Sequence, residues 1–136
     1  MTSIEALRNW NVGNVINMNY TFGHCSGLTS VEALANWNLS KVTNNMTYMF
    51  YESNKVRILN LANTILPNSV TFNISYLSGL EVLRLDNLTD KDKVQNIINT
   101  LPAKTDGKPR YIYTTLNVIP KQGWTLISCI TFIYSH

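Results

Sequence analysis

Thr2-Ser3-Ile4-Glu5-Ala6-Leu7-Arg8-Asn9-Trp10-Asn11-Val12 returns as Thr29-Ser30-Val31-Glu32-Ala33-Leu34-Ala35-Asn36-Trp37-Asn38-Leu39, a displacement of 27 residues from Trp10 to Trp37. Identity at this density marks an internal repeat, and such a repeat decides the architecture before any single motif does. The match continues through Val15 and Val42. One inserted asparagine near Asn44 and Asn45 then moves the displacement to 28, so Met18, Tyr20 and Phe22 fall on Met46, Tyr48 and Phe50. An insertion absorbed without loss of the flanking pattern belongs in a turn.

Beyond Phe50 the copies diverge, but a strand-like core persists. Leu28, Val56 and Leu80 each follow a polar or glycine-containing turn and open the runs Leu28–Val31, Val56–Leu61 and Leu80–Leu85. Leucines spaced L-x-x-L-x-L suit a short strand stacked in parallel on its neighbours with alternate side chains pointing inward. A single unit cannot close such a core, so stacking supplies the stability. Val42, Met46, Met49 and Phe50 recur at helical spacing, which predicts a short helical or 3₁₀ segment on the face opposite the strands. Trp10 and Trp37 could form a sugar-stacking ladder. The stronger reading places each in the same core corner of its repeat, its indole N–H bonded to a neighbouring turn.

From Thr89 the period changes. Thr89-Asp90-Lys91-Asp92 has capping-box spacing with Asp in place of Glu, and Val94, Ile97, Ile98 and Leu101 recur at helical spacing up to Pro102. The expected elements are a helix over 90–101 and strands over about 110–118 and 124–134, the last two rich in β-branched and aromatic residues. The fold expected is therefore an α/β solenoid: about three leucine-rich-like repeats over 1–88, closed by a helix-plus-strands cap over 89–136. Thr2 falls directly into repeat register, so either the first coil is covered by something else or the chain is the tail of a longer array.

Charged residues make up 14% of the chain against about 25% in ordinary soluble domains. Asn, Ser and Thr supply the missing polarity, as suits stacked turns whose Asn side chains bond backbone groups. The net charge of +3 is dispersed, without the basic stripe that phosphate backbones require, so nucleic acid is not an expected partner. Nor is a membrane span expected, and the first residues lack a signal-peptide layout. Cys25 and Cys129 would lie several coils apart and are expected to be unpaired.

Chemistry is sparse. His24 and His136 have no Ser, Cys or acid placed to form a catalytic pair, and no zinc spacing surrounds His24-Cys25. Asp86, Asp90 and Asp92 flank the cap helix, where its dipole accounts for them, and EF-hand spacing is missing. Asn38, Asn45, Asn73 and Asn87 begin formal glycosylation sequons, expected by chance in so Asn-rich a chain. No catalytic residue, metal site or cofactor is assigned, and the chain is not expected to be an enzyme. The better functional candidate is the strand face. Its outward columns read Thr2, Thr29, Arg57, Glu81 and Glu5, Glu32, Asn60, Arg84; the binding residues expected are Arg57, Glu81, Glu32, Asn60 and Arg84. The same columns would also make a plain solvated face.

The segments Phe22-Gly23-His24-Cys25-Ser26-Gly27-Leu28-Thr29-Ser30 and Ala35-Asn36-Trp37-Asn38-Leu39-Ser40-Lys41-Val42, continuing through Met46 and Tyr48 to Phe50, resemble the BspA-type leucine-rich repeat of bacterial surface proteins. Leu88 to Pro102, followed by Gly123-Trp124-Thr125, resembles the cap such proteins carry. The chain departs from the pattern at Ser53, where Cys25 would repeat, and in the third repeat, which has Thr64 nearest the tryptophan position. The resemblance implies a non-catalytic, adhesin-like module at the cell surface or secreted, binding a protein ligand on a host or neighbouring cell. The alternative is a structural component of a virion or other large assembly, docked on a neighbouring chain.

Overall fold

The computed structural model describes residues 3–44 and 46–128. Five short strands, β1 (Ser30–Val31), β2 (Ile58–Asn60), β3 (Val82–Arg84), β4 (Tyr111–Thr114) and β5 (Thr125–Ser128), form one open, wholly parallel sheet in sequence order. The register Val31, Leu59, Leu83, Ile112, Leu126 runs straight across it. Through Ile112 every member of that column is fully buried, and Leu61 and Leu85 bury a second inward column. This is the alternation that the leucine spacing predicts, although the strands are shorter than the apolar runs that announced them.

Pairing between repeats extends well beyond the strands. Phe22 N–H donates to Met49 O (2.8 Å), Leu39 N–H to Ile65 O (2.8 Å) and Ile65 N–H to Trp37 O (2.9 Å). Inside, Phe50 lies between Phe22 (centroids 5.6 Å apart) and Phe72 (6.1 Å), one ring from each of three successive turns of chain. Asn11, Asn38, Asn60 and Asn73 each accept the N–H two residues on, which explains how so many amides are accommodated in the turns.

Several expectations are corrected. Residues 42–44 and 46–50 lie in turns and bends, not in a helix, and their backbone is tied to the neighbouring repeat: Thr43 and Asn44 N–H donate to Ile16 O, and Met49 O accepts from Phe22 N–H. The 3₁₀ helices lie elsewhere, at Glu5–Leu7 and Ala33–Asn36. The first repeat thus contributes no described strand, and Glu5 belongs to a 3₁₀ turn and pairs with Arg8. Thr2 lies outside the described residues. In the later part, α1 spans Lys91–Asn99, and its N-cap is Asp90, one residue past the expected Thr89, with the Asp90 carboxylate accepting Lys93 N–H at 3.1 Å. Strands β4 and β5 extend the same sheet in the same direction past residue 88. β4, rich in β-branched and aromatic residues, meets the edge of β3 just as β3 meets β2, and β5 pairs with β4 in turn. The expected strand over 124–134 is described only as far as Ser128.

The two tryptophans part company. Trp37 is buried and its indole N–H donates to Leu7 O at 3.1 Å, whereas Trp10 is 62% exposed. The acceptor for Trp37 belongs to the preceding repeat, and among the described residues Trp10 has none ahead of it. In the third repeat Thr64 assumes the role. Its hydroxyl donates to Leu34 O, the counterpart of Leu7, and the side chain is buried. Ser53, at the Cys25 position, is likewise buried and donates to Phe22 O (2.6 Å). Both departures from the repeat pattern are therefore polar substitutions that close a hydrogen bond to the previous turn. Cys25 is a free thiol; Cys129 lies outside the described residues.

Candidate functional site

The outward side of the sheet has two columns. One runs Ser30, Ile58, Val82, Tyr111, Thr125, and the next Asn60, Arg84, Tyr113, Ile127. Of the five expected residues, Asn60 and Arg84 share the second column, whereas Glu32 lies just past β1, where the chain turns into the 3₁₀ helix Ala33–Asn36. Arg57 and Glu81 sit side by side just ahead of β2 and β3. Arg57 Nη1 lies 3.0 Å from Glu81 Oε1, and both side chains are largely solvated, so the pair orients the surface more than it stabilises it. The Asn60 carbonyl is spent on Ala62 N–H. Arg84 pairs with Asp86 at 2.6 Å and also lies over the Tyr113 ring, its guanidinium carbon 4.3 Å from the centroid. Tyr111 and Tyr113 were absent from the sequence-based face because β4 was assigned to a separate unit.

Arg110, next in line after Arg57 and Glu81, is buried and held by Asp106 in a two-pronged contact of 2.7 and 2.9 Å. The Arg110 guanidinium, and then the Lys108 N–H, keep the Asp106 carboxyl well below the usual carboxylate range. A depressed folded-state pKa stabilises the fold at pH values above the unfolded pKa, and that stabilisation is lost as pH falls toward the folded value. Thermal melts should accordingly show wild type losing stability below about pH 4 more steeply than Asp106→Asn. Parallel acid limbs in the two proteins would remove the pair as the cause.

A second surface was not singled out from the sequence. Tyr20 stacks on Tyr48 (5.1 Å, rings 8° apart), Tyr76 lies tilted against Tyr48 (5.5 Å, rings 34° apart), and Tyr51 meets all three edge-on. Partial burial, and then the neighbouring Tyr48 hydroxyl, push the Tyr76 phenol up. Beside this cluster His24 Nδ1 lies 2.7 Å from Glu52, with both side chains exposed. Tyr20, His24 and Glu52 are the non-glycine residues with left-handed φ among those described. The alignment of Tyr20 with Tyr48 in the repeat was the available signal; Tyr76 continues it at the same displacement of 28. Because the rings pack on one another, this ladder reads first as a clasp across repeats.

A family model described as Mycoplasma protein of unknown function, DUF285, matches residues 3–74, more than half of the chain. The chain belongs to that family. The DUF285 match takes in the repeats that carry Trp37, the Phe22–Phe50–Phe72 stack and most of the tyrosine ladder, and it stops before β3. Arg84, Tyr111 and Tyr113 thus belong to a part of the sheet beyond it. No curated protein and no solved structure matches the chain. Among the described residues no helix is long and apolar enough to cross a membrane, and no cluster of His, Cys, Asp or Glu is arranged to hold a metal ion.

Proposed function

We propose that this DUF285 chain is a non-catalytic binding module of a BspA-type surface protein, a leucine-rich solenoid that meets a protein partner on its strand face. The observation that carries the reading is the centre of that face. Arg84 lies over Tyr113 at 4.3 Å, with Tyr111 exposed beside it and the half-buried Ile58 and Val82 continuing the column. Tyrosine and arginine on a rigid apolar patch, with charged pairs such as Arg57–Glu81 at its rim, are the residue types that dominate protein interfaces. Cell-surface display and adhesion are part of the same proposal and rest on the BspA resemblance.

Beads coated with the chain should adhere to cultured epithelial cells. The double variant Arg84→Ala/Tyr111→Ala should lower adhesion at least about tenfold while remaining folded, because interface anchors of this kind each contribute roughly 1–2 kcal/mol or more. Equal adhesion by both proteins would remove the strand face as the binding surface. Light scattering on the same samples tests the rival assembly reading, which the exposed Trp10 and Ile16 favour. Defined oligomers that Trp10→Ser disperses, together with no adhesion, would support a docked component of a larger particle.

A further inference from the structure

On a side of the molecule separate from the strand face, a groove of about 370 Å³ opens between the second repeat, the third repeat and the first turn of α1. Its volume lies within the range of about 300–1,000 Å³ usual for small-molecule sites. An apolar strip of Ile65, Leu66 and Leu88 runs along it, with Ile65 53% exposed. Amide side chains of Asn63, Asn68 and Asn87 line the groove with it, and Ser40 and Thr89 add hydroxyls. A smaller cavity of about 130 Å³ shares Leu66, Asn68 and Lys93 and extends toward Phe72 and Asn96.

The lining selects against most ligand classes. The cation present, Lys93, has its ammonium 2.6 Å from Asn68 Oδ1, and the Asp90 carboxylate shares the groove, so a free anion gains little net charge attraction there. Asp90 in turn accepts Lys93 N–H as the cap of α1, and a lone, engaged carboxylate is a poor ligand set for a divalent cation. A purely apolar guest would strip water from three amides without replacing their hydrogen bonds. A ligand that both donates and accepts at adjacent positions meets none of these objections. Asn87 Nδ2 donates to Asn63 Oδ1 at 2.8 Å, which holds the two amides side by side and leaves the Asn63 amide N–H groups and the Asn87 carbonyl oxygen to bond a ligand.

We infer that this groove binds a neutral sugar. Vicinal hydroxyls of a pyranose engage the paired amides of Asn63 and Asn87, its C–H face lies on Ile65 and Leu88, and the smaller cavity receives the next unit of a disaccharide. The site uses none of the strand-face residues, so its failure would leave the proposed function standing, and the reverse also holds.

The test is an NMR titration of the whole chain with glucose, galactose, mannose, N-acetylglucosamine and their simple disaccharides at millimolar concentrations, with inorganic phosphate in parallel. At least one sugar should shift the side-chain amide signals of Asn63, Asn68 and Asn87. Asn87→Ala, at an exposed position, should weaken that sugar at least about tenfold, the loss expected when a paired hydrogen-bonding group is removed from a ligand hydroxyl. Ile65→Ser should weaken it through the apolar strip, and the parallel phosphate titration checks that no charge is recognised. Shifts with phosphate alone, no shifts with any of these sugars, or binding indifferent to both Asn87→Ala and Ile65→Ser would each overturn the inference.

Discussion

Phe50→Ala is expected to destabilise the chain by about 3–5 kcal/mol, which for a domain of this size lowers the melting temperature by roughly 10–15 °C. Phe50 is 1% exposed and lies between Phe22 and Phe72, so its removal opens a hole bordered by rings from the turns on either side. Phe22 cannot collapse into that hole freely. Phe22 is held by its own N–H to Met49 O, and its carbonyl accepts the buried Ser53 hydroxyl. Phe50→Leu, which keeps most of the volume, should cost less than half as much. Urea unfolding of the two variants measures both. A loss below about 1 kcal/mol for the alanine variant would mean that the stacked rings are not the continuous core described above.

Gly123→Ala carries the second large effect, through the backbone. Gly123 has φ +89°, and a Cβ there would come within 2.4 Å of Lys104 O and 2.8 Å of Lys104 Cβ. The left-handed conformation alone costs a residue with a side chain roughly 1–3 kcal/mol, and the steric overlap adds to it, because the carbonyl belongs to backbone. Lys104 N–H donates to Gln122 O, so the two chain segments must separate and take with them the contact of Trp124 with Pro102. Gly107 supplies the control. Its φ is +74°, with nothing within 4 Å of the added carbon, so Gly107→Ala should show the conformational cost by itself. Equal losses at the two glycines would refute the close approach at Gly123.

How much of this was legible in the sequence depended on whether a feature is local to one repeat. Leu59, Leu83 and Ile112 alternate with polar or half-exposed neighbours, and a strand's period of two sends such residues inward whatever lies beside it. The helix at Lys91–Asn99 was equally readable from its apolar spacing and the acidic residues before it, to within one residue at the cap. The segment 42–50 misled because its apolar residues are equally inward in a helix or in stacked turns, and the choice was made by hydrogen bonds to residues some 27 positions away. Arg57, Glu81, Glu32, Asn60 and Arg84 entered the binding proposal from the spacing of the sequence alone. Tyr111 and Tyr113 entered it only from the sheet, because nothing in residues 100–110 announces that the next strand joins it.

The sequence by itself determined the repeat, its length, the inward leucine column and the amide-rich turns, since each follows from the spacing of side chains along one stretch of backbone. Only the tertiary structure decided which equivalent residues become core. Trp37 is buried because Leu7 O of the preceding turn accepts its indole N–H, and Trp10, with the same local sequence, stays in solvent. It also decided that Thr64 replaces a tryptophan, that Tyr20, Tyr48 and Tyr76 pack in a row, and that Asn63 and Asn87 share one groove. The physical reason is common to all of them. A stacked repeat completes each turn's hydrogen bonds and packing with groups from its neighbours, so identical segments take different environments according to what lies on either side.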